Sequence, residues 1–132
     1  MLFVSSLIWG GIEASSKITI NNNWQTLDTV EFPGKQDDIF FVDSKVGWYG
    51  NGFGLIYKTT DGGATWVETF SQKGTFVRAL GFIDENIGFA GNIGPDYFPG
   101  VTDDHPLYRT DDGGKTWEVV SDITPSELKG VC

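Results

Sequence analysis

The sequence is poor in cysteine, in basic residues and in long apolar runs. Among its 132 residues there is one cysteine, Cys132, so neither an internal disulfide bond nor a cysteine metal cluster can form. Only 9 Lys and Arg stand against 18 Asp and Glu, and the net charge of -9 repels phosphate backbones and anionic membranes. No apolar stretch is long enough for a transmembrane helix. These deficits argue against nucleic acid as a partner and against a membrane span.

Glycine and aromatic residues are abundant by contrast. The chain has 18 Gly, and 14% of its residues are aromatic. Few stretches could form a helix, so this composition indicates short strands joined by tight turns. The sequence therefore predicts an all-β fold, and it predicts no cofactor.

One short motif occurs twice, at residues 58–66 and again at residues 109–117. Both copies contain Thr-x-Asp-Gly-Gly-x-Thr-Trp between two β-prone runs. Asp accepts hydrogen bonds from the backbone of a turn and Gly supplies positive φ, so each copy predicts a hairpin. The Trp that closes the motif is expected to pack in the core. The structural residues assigned in this way are Thr59, Asp61, Gly63, Trp66, Thr110, Asp112, Gly114 and Trp117.

A longer repeat surrounds these motifs. Phe41-Val42-Asp43 and the Gly-aromatic pair that follows recur as Phe82-Ile83-Asp84 and a second such pair, with an insertion between Asn92 and Leu107 in the second copy. Each copy predicts four short strands, and about forty residues per four-stranded unit is the period of a β-propeller blade. The predicted fold is a partial β-propeller of four-stranded antiparallel blades, with about two complete blades and flanking strands.

The predicted domain, residues 17–132, contains blade units at about 37–70 and 76–121. Residues 24–30 resemble an outer strand one period before Trp66, which is what ring closure needs, and residues 125–132 resemble the start of a truncated next blade. Two blades leave apolar faces and strand edges open, so self-association at these edges is expected. We expect the chain to be a fragment of a longer protein; ring assembly from several copies is the alternative.

Residues 1–16 combine an apolar run with a small residue, Ala14, that could precede a cleavage point. This pattern suggests a signal peptide and hence an exported protein, whether periplasmic, secreted, on the cell surface or in the thylakoid lumen. No Lys or Arg follows Met1, so an ordinary β segment or a ragged N-terminus is the alternative.

The paired motifs resemble the Asp-box, also called the bacterial neuraminidase repeat. Together with Phe-Val-Asp, Gly-Trp and Gly-Asn before the first motif, they resemble the photosystem II stability and assembly factor group of Asp-box propellers, over roughly residues 24–132. The resemblance implies a propeller whose Asp-boxes lie between the third and fourth strand of a blade, remote from any active site. It also implies a protein-binding assembly scaffold. Asp-boxes occur in sialidases, other glycosidases and sorting receptors as well.

The insertion at residues 94–106 is the candidate binding loop. By the resemblance, it lies on the propeller face opposite the Asp-boxes, and three prolines stiffen it. The alternative is a surface loop that packs on itself. One His with scattered carboxylates is a poor ligand set, so no metal is predicted. The candidate binding residues are Asp96, Tyr97, Phe98, Asp103, Asp104 and His105.

A glycosidase needs two carboxyl groups a few ångströms apart. Nothing in the spacing of Glu68, Glu85, Glu118 and Glu127 pairs them. By family resemblance a sialidase gathers three arginines around its substrate, whereas this chain has only Arg78 and Arg109. No catalytic residue is assigned, and a non-catalytic module with a protein partner is preferred. Two alternatives stay open: the N-terminal fragment of a glycoside hydrolase, with a carbohydrate ligand, and a propeller domain of a larger cell-surface protein.

Overall fold

The computed structural model describes residues 34–122. The predictions for the leader at residues 1–16, the strand at residues 24–30 and the truncated blade at residues 125–132 fall outside these described residues.

Within residues 34–122 the chain forms eight strands and no helix, so the described part has no helix that could cross a membrane. The first sheet contains β1 Gln36–Phe41, β2 Gly47–Asn51, β3 Leu55–Thr59 and β4 Val67–Ser71. The second sheet contains β5 Val77–Phe82, β6 Gly88–Asn92, β7 Leu107–Thr110 and β8 Glu118–Val119.

Each sheet is a simple meander in which successive strands pair antiparallel, in the orders β1-β2-β3-β4 and β5-β6-β7-β8. The prediction of an all-β chain built from four-stranded antiparallel sheets is confirmed. The first strand of both sheets carries a β-bulge at the matching position, between Gln36 and Asp38 and between Val77 and Ala79. The internal repeat of the sequence is therefore a repeat of backbone structure.

The connections between consecutive strands lie at two opposite ends of the sheets. The β1–β2, β3–β4, β5–β6 and β7–β8 connections lie at one end, which we call the turn end, because antiparallel strands reverse direction at each connection. The β2–β3 and β6–β7 connections and the β4–β5 linker lie at the other, the loop end. The insertion at residues 94–106 is the β6–β7 connection and lies at the loop end.

The core lies between the two sheets. Trp48 on β2 is fully buried and stacks on Phe82 of β5, with ring centroids 3.6 Å apart and planes within 9° of parallel. Phe70 of β4 meets Tyr108 of β7 edge to face at 5.1 Å. Stacked and edge-to-face rings add to the area that they bury. The remaining buried members of this core are Ile56, Val77, Leu80 and Ala90.

Candidate functional site

The two Asp-Gly-Gly turns, residues 59–66 and 110–117, have matching hydrogen bonds. The Thr59 hydroxyl donates to Asp61 Oδ1 at 2.8 Å and accepts from the Gly63 amide at 2.9 Å, and the Thr65 amide and hydroxyl donate to Asp61 at 2.8 and 2.6 Å. The same four bonds recur around Asp112 within about 0.1 Å. Both glycines of each turn have positive φ, between 74° and 93°, which only glycine adopts without strain.

These hydrogen bonds all favour the ionised carboxylates. Those from Thr65 and Thr59 lower the pKa of Asp61 to about 2, and those from Thr116 and Thr110 do the same for Asp112. A carboxylate held ionised by the turn that it closes is suited to fixing that turn. It is poorly suited to donating a proton to a substrate near neutral pH.

The two motif tryptophans lie in different surroundings. Trp117 donates its indole N–H to the Gly114 carbonyl at 3.1 Å and packs edge to face on Phe70 of the first sheet, at 5.9 Å. Trp66 contacts Tyr49 and Phe41 of its own sheet, at 4.8 and 6.1 Å, on the side that faces away from the second sheet. The same sequence position therefore packs against the core between the sheets in one copy and against its own sheet in the other.

The insertion is held to the loop end by its own backbone. The Gly74 carbonyl, in the linker between the sheets, accepts from the amides of Thr102 and Asp103 at 2.9 and 3.0 Å. The side-chain amide of Asn92 donates to the carbonyls of Asp103 and His105 at 2.8 and 3.1 Å. The C-terminal half of the loop is therefore fixed to the sheet and to the linker.

Asp103 is the buried anchor of this loop. Its Oδ2 accepts from the hydroxyls of Thr75 and Tyr108, the second at 2.5 Å, and its Oδ1 accepts from the His105 amide at 3.0 Å and contacts His105 Nδ1 at 2.8 Å. Burial raises the pKa of Asp103, but the hydrogen bonds from Thr75, Tyr108 and His105 outweigh it and keep the pKa below its ordinary value. Burial and the bond to Asp103 raise the pKa of Tyr108 to about 12.

Asp103, Asp104 and His105 could each offer a metal-ligand atom, and these atoms lie within 4.8 Å of one another. Both oxygens of Asp103 already accept hydrogen bonds, and the Asp104 side chain is 85% exposed. A divalent cation in proteins takes more oxygen ligands than this cluster leaves over. The cluster is better suited to anchoring a loop than to coordinating an ion.

A groove of about 390 Å³ opens at the loop end between the insertion and the first sheet. Phe53, from the short β2–β3 connection, lines it with Phe98, Pro99 and Val101 of the insertion, and Lys73 and Thr75 of the linker lie between them. Phe98 is 45% exposed, and its inner edge packs on buried Phe76 at 4.9 Å. We call this the loop-end groove.

The structure separates the six candidate loop residues into three groups. Phe98 lines the loop-end groove, whereas Asp103 and His105 form the anchor beneath the loop. Asp96 and Asp104 are exposed, and Tyr97 is 75% exposed at the loop tip. Sequence reasoning did not identify Phe53, Lys73, Thr75 and Tyr108. Phe53 occupies the place in the first repeat where the second carries its insertion, and that correspondence could have indicated it.

No protein-family model matches the sequence. Among curated proteins, the xyloglucanase Xgh74A of Acetivibrio thermocellus is 32% identical in an alignment 98 residues long, and the match covers 62% of this chain and 11% of the enzyme. Among solved structures, YCF48 bound to D1 peptide resembles the fold, with a TM-score of 0.54 at 21% identity over 73% of this chain and 30% of that one. The two sheets are blades of a β-propeller. The chain spans only a minor part of either relative.

In this β-propeller the strand order gives both blades the same orientation. The Asp-Gly-Gly turns lie at one face, and the insertion and the loop-end groove lie at the other. Recognition in proteins is concentrated on loops that a rigid scaffold positions. The loop-end face is therefore the candidate binding face, and the hydrogen-bonded turns belong to the scaffold.

Proposed function

We propose that this chain is part of an Asp-box β-propeller that binds a protein segment in its loop-end groove, as a non-catalytic scaffold of the assembly-factor kind. The single observation that carries the proposal is the groove itself. It has aromatic walls from two different blades, and its floor is the linker that joins those blades.

The chemistry of the groove supports a peptide ligand. Phe53 and Phe98 are 55% and 45% exposed, so each offers aromatic surface to a ligand side chain. Aromatic anchors in a preformed recess carry much of the binding energy in protein interfaces. Because the Asp103 anchor fixes the loop in advance, binding costs less ordering entropy than it would with a mobile loop.

The solved YCF48 structure contains a D1 peptide, so one propeller that shares this fold holds a peptide segment. We extend that ligand class, a peptide, to the present chain. An exported location goes with this role, and the described residues contain no helix that could span a membrane.

Peptide binding can be tested with a labelled D1 peptide and with a random peptide library selected on the immobilised chain. We expect Phe98→Ala and Phe53→Ala, at the two aromatic residues that line the groove, to weaken binding of the recovered peptides about tenfold or more, the equivalent of about 1.4 kcal/mol. Val67→Ala, at an exposed apolar residue of β4, is the matched control and is expected to leave affinity unchanged. Peptides that bind all three variants equally would show that the groove is not the binding site.

The second candidate function is a glycoside hydrolase fragment, and the similarity to xyloglucanase Xgh74A favours it. A glycosidase general acid needs a raised pKa. The buried carboxylate of the loop, Asp103, has a lowered pKa, and Glu68 is exposed and accepts from Tyr57 at 3.5 Å. Incubating the chain with xyloglucan tests this function. Turnover that one carboxylate substitution abolishes would replace the scaffold proposal.

A further inference from the structure

One carbonyl of the second Asp-Gly-Gly turn takes part in the joint between the two blades. The Gly113 carbonyl accepts from Trp48 Nε1 at 3.2 Å and from Lys58 Nζ at 3.0 Å. Lys58 Nζ also lies over the Trp48 ring, 4.8 Å from its centroid. The following blade therefore presents a turn carbonyl, and the preceding blade presents an aromatic ring and a cation that bind it.

The outer side of the first blade repeats the surface that the second blade uses at this joint. We call it the rear flank. Leu80 is 7% exposed at the joint, whereas its equivalent Ile39 is 59% exposed on the rear flank. Tyr49 contacts Tyr57 and Trp66 there, at 4.9 and 4.8 Å. The rear flank comprises Ile39, Phe41, Tyr49, Tyr57 and Trp66, the repeat equivalents of Leu80, Phe82, Ala90, Tyr108 and Trp117.

The outer side of the second blade repeats the other half of the joint, and we call it the front flank. Arg109 lies over the Phe89 ring at 5.9 Å, in the place of Lys58 over Trp48. Ile83 is 73% exposed. The front flank comprises Gly81, Ile83, Phe89, Leu107 and Arg109, the repeat equivalents of Phe40, Val42, Trp48, Ile56 and Lys58.

The two flanks differ from the joint in ways that compensate each other. The rear flank is larger, because Tyr49 stands where the joint has Ala90. The front flank has smaller side chains, because Phe89 stands where the joint has Trp48 and Gly81 stands where it has Phe40. No atom lies within 4 Å of a Cβ built on Gly81, so there is free space at this position. Because protein interiors are close-packed, a surface with larger side chains needs a partner that leaves room for them, and the smaller side chains of the front flank leave such room.

We infer that the rear flank of one copy of this chain binds the front flank of a second copy, head to tail. Phe89 then packs on Phe41 of the second copy. Arg109 donates from Nε and Nη2 to its neighbour Asp111, at 3.0 and 2.7 Å, so its Nη1 is the donor for the Gly62 carbonyl of the second copy, as Lys58 donates to Gly113 within one chain. A head-to-tail contact closes into a ring if its rotation allows. Closed propellers have about four to eight blades, and about two to four copies would supply that number from the two blades that residues 34–122 form.

Sedimentation velocity of the 132-residue chain over a range of concentrations tests this inference. Wild type is expected to form species of several protomers. Ile39→Asp and Ile83→Asp each place a charge on one flank only, at side chains exposed in the single chain, so each variant alone is expected to lose assembly. Tyr97→Asp, at an equally exposed residue of the binding loop, is the control and is expected to assemble as wild type does.

Mixing the two flank variants gives the decisive result. Ile39→Asp keeps a working front flank and Ile83→Asp keeps a working rear flank, so their mixture is expected to form a one-to-one dimer and nothing larger. Ile39→Ser and Ile83→Ser serve if an aspartate variant fails to fold. If wild type sediments at the mass of a single protomer at every concentration, the inference is overturned. That holds also if another part of the same chain covers the rear flank. Assembly that survives both substitutions, or a mixture without dimers, also overturns it.

Discussion

Replacing Asp103 with Ala tests whether the binding loop is anchored as the structure indicates. The substitution leaves the hydroxyls of Thr75 and Tyr108, which are 2% and 6% exposed, without their shared acceptor. A buried polar group without a partner costs about 1–3 kcal/mol, so we expect Asp103→Ala to lower the free energy of unfolding by about 3 kcal/mol. The neighbouring Asp104→Ala removes an 85% exposed side chain and should change it by less than about 0.5 kcal/mol.

Urea unfolding of the two variants measures the difference, and hydrogen exchange locates it. The amides of Thr102 and Asp103 donate to the Gly74 carbonyl, so loss of the anchor should speed their exchange more than exchange in β2 or β3. Equal stability of Asp103→Ala and Asp104→Ala, with unchanged exchange at residues 102 and 103, would refute the assignment of Asp103 as the loop anchor.

Three further predictions concern the scaffold. Leu80→Ala should lower the free energy of unfolding in urea by about 3 kcal/mol. Ile39→Ala, at the equivalent position on the rear flank, should lower it by less than about 1 kcal/mol. Equal losses of stability would contradict the packing of Leu80 between the two blades. Burial and the bond to Asp103 raise the pKa of Tyr108 from 10.0 to about 12, so its contribution to stability is complete below about pH 10 and is lost as pH rises through 12. Alkaline unfolding of wild type and of Tyr108→Phe measures this loss. The pKa values of Asp61 and Asp112 are lowered from 3.8 to about 2, so their contribution is present above about pH 4 and lost as pH falls toward 2. Asp61→Asn should reduce the loss of unfolding free energy between about pH 4 and pH 2. The same pH dependence in Asp61→Asn and wild type would contradict this prediction.

The turns and strands were predictable because their interactions are local in sequence. The bonds among Thr59, Asp61, Gly63 and Thr65 join residues at most four apart, so a short motif contains every partner. The repeat then predicted four strands in each copy, since two copies of one sequence pattern are expected to adopt the same fold.

The loop-end groove was only partly predictable, because its contacts are distant in sequence. Composition marked residues 94–106 as a recognition loop, but it could not show that Asp103 turns inward to Thr75, 28 residues away, while Phe98 stays half exposed. The opposite wall, Phe53, comes from the other blade. Which side chain points into the groove depends on how the blades stack, and no local pattern encodes that.

We expect ligands to bind at the loop end, whereas the Asp-Gly-Gly turns hold the scaffold together. Backbone amide chemical-shift mapping during titration with a selected peptide tests it most directly. The largest shifts are expected at Gly52, Gly74 and Gly100, which line the loop-end groove, and the signals from Gly62 and Gly113 in the turns are expected to stay unchanged. Shifts concentrated at Gly62 and Gly113, with none in the groove, would contradict it.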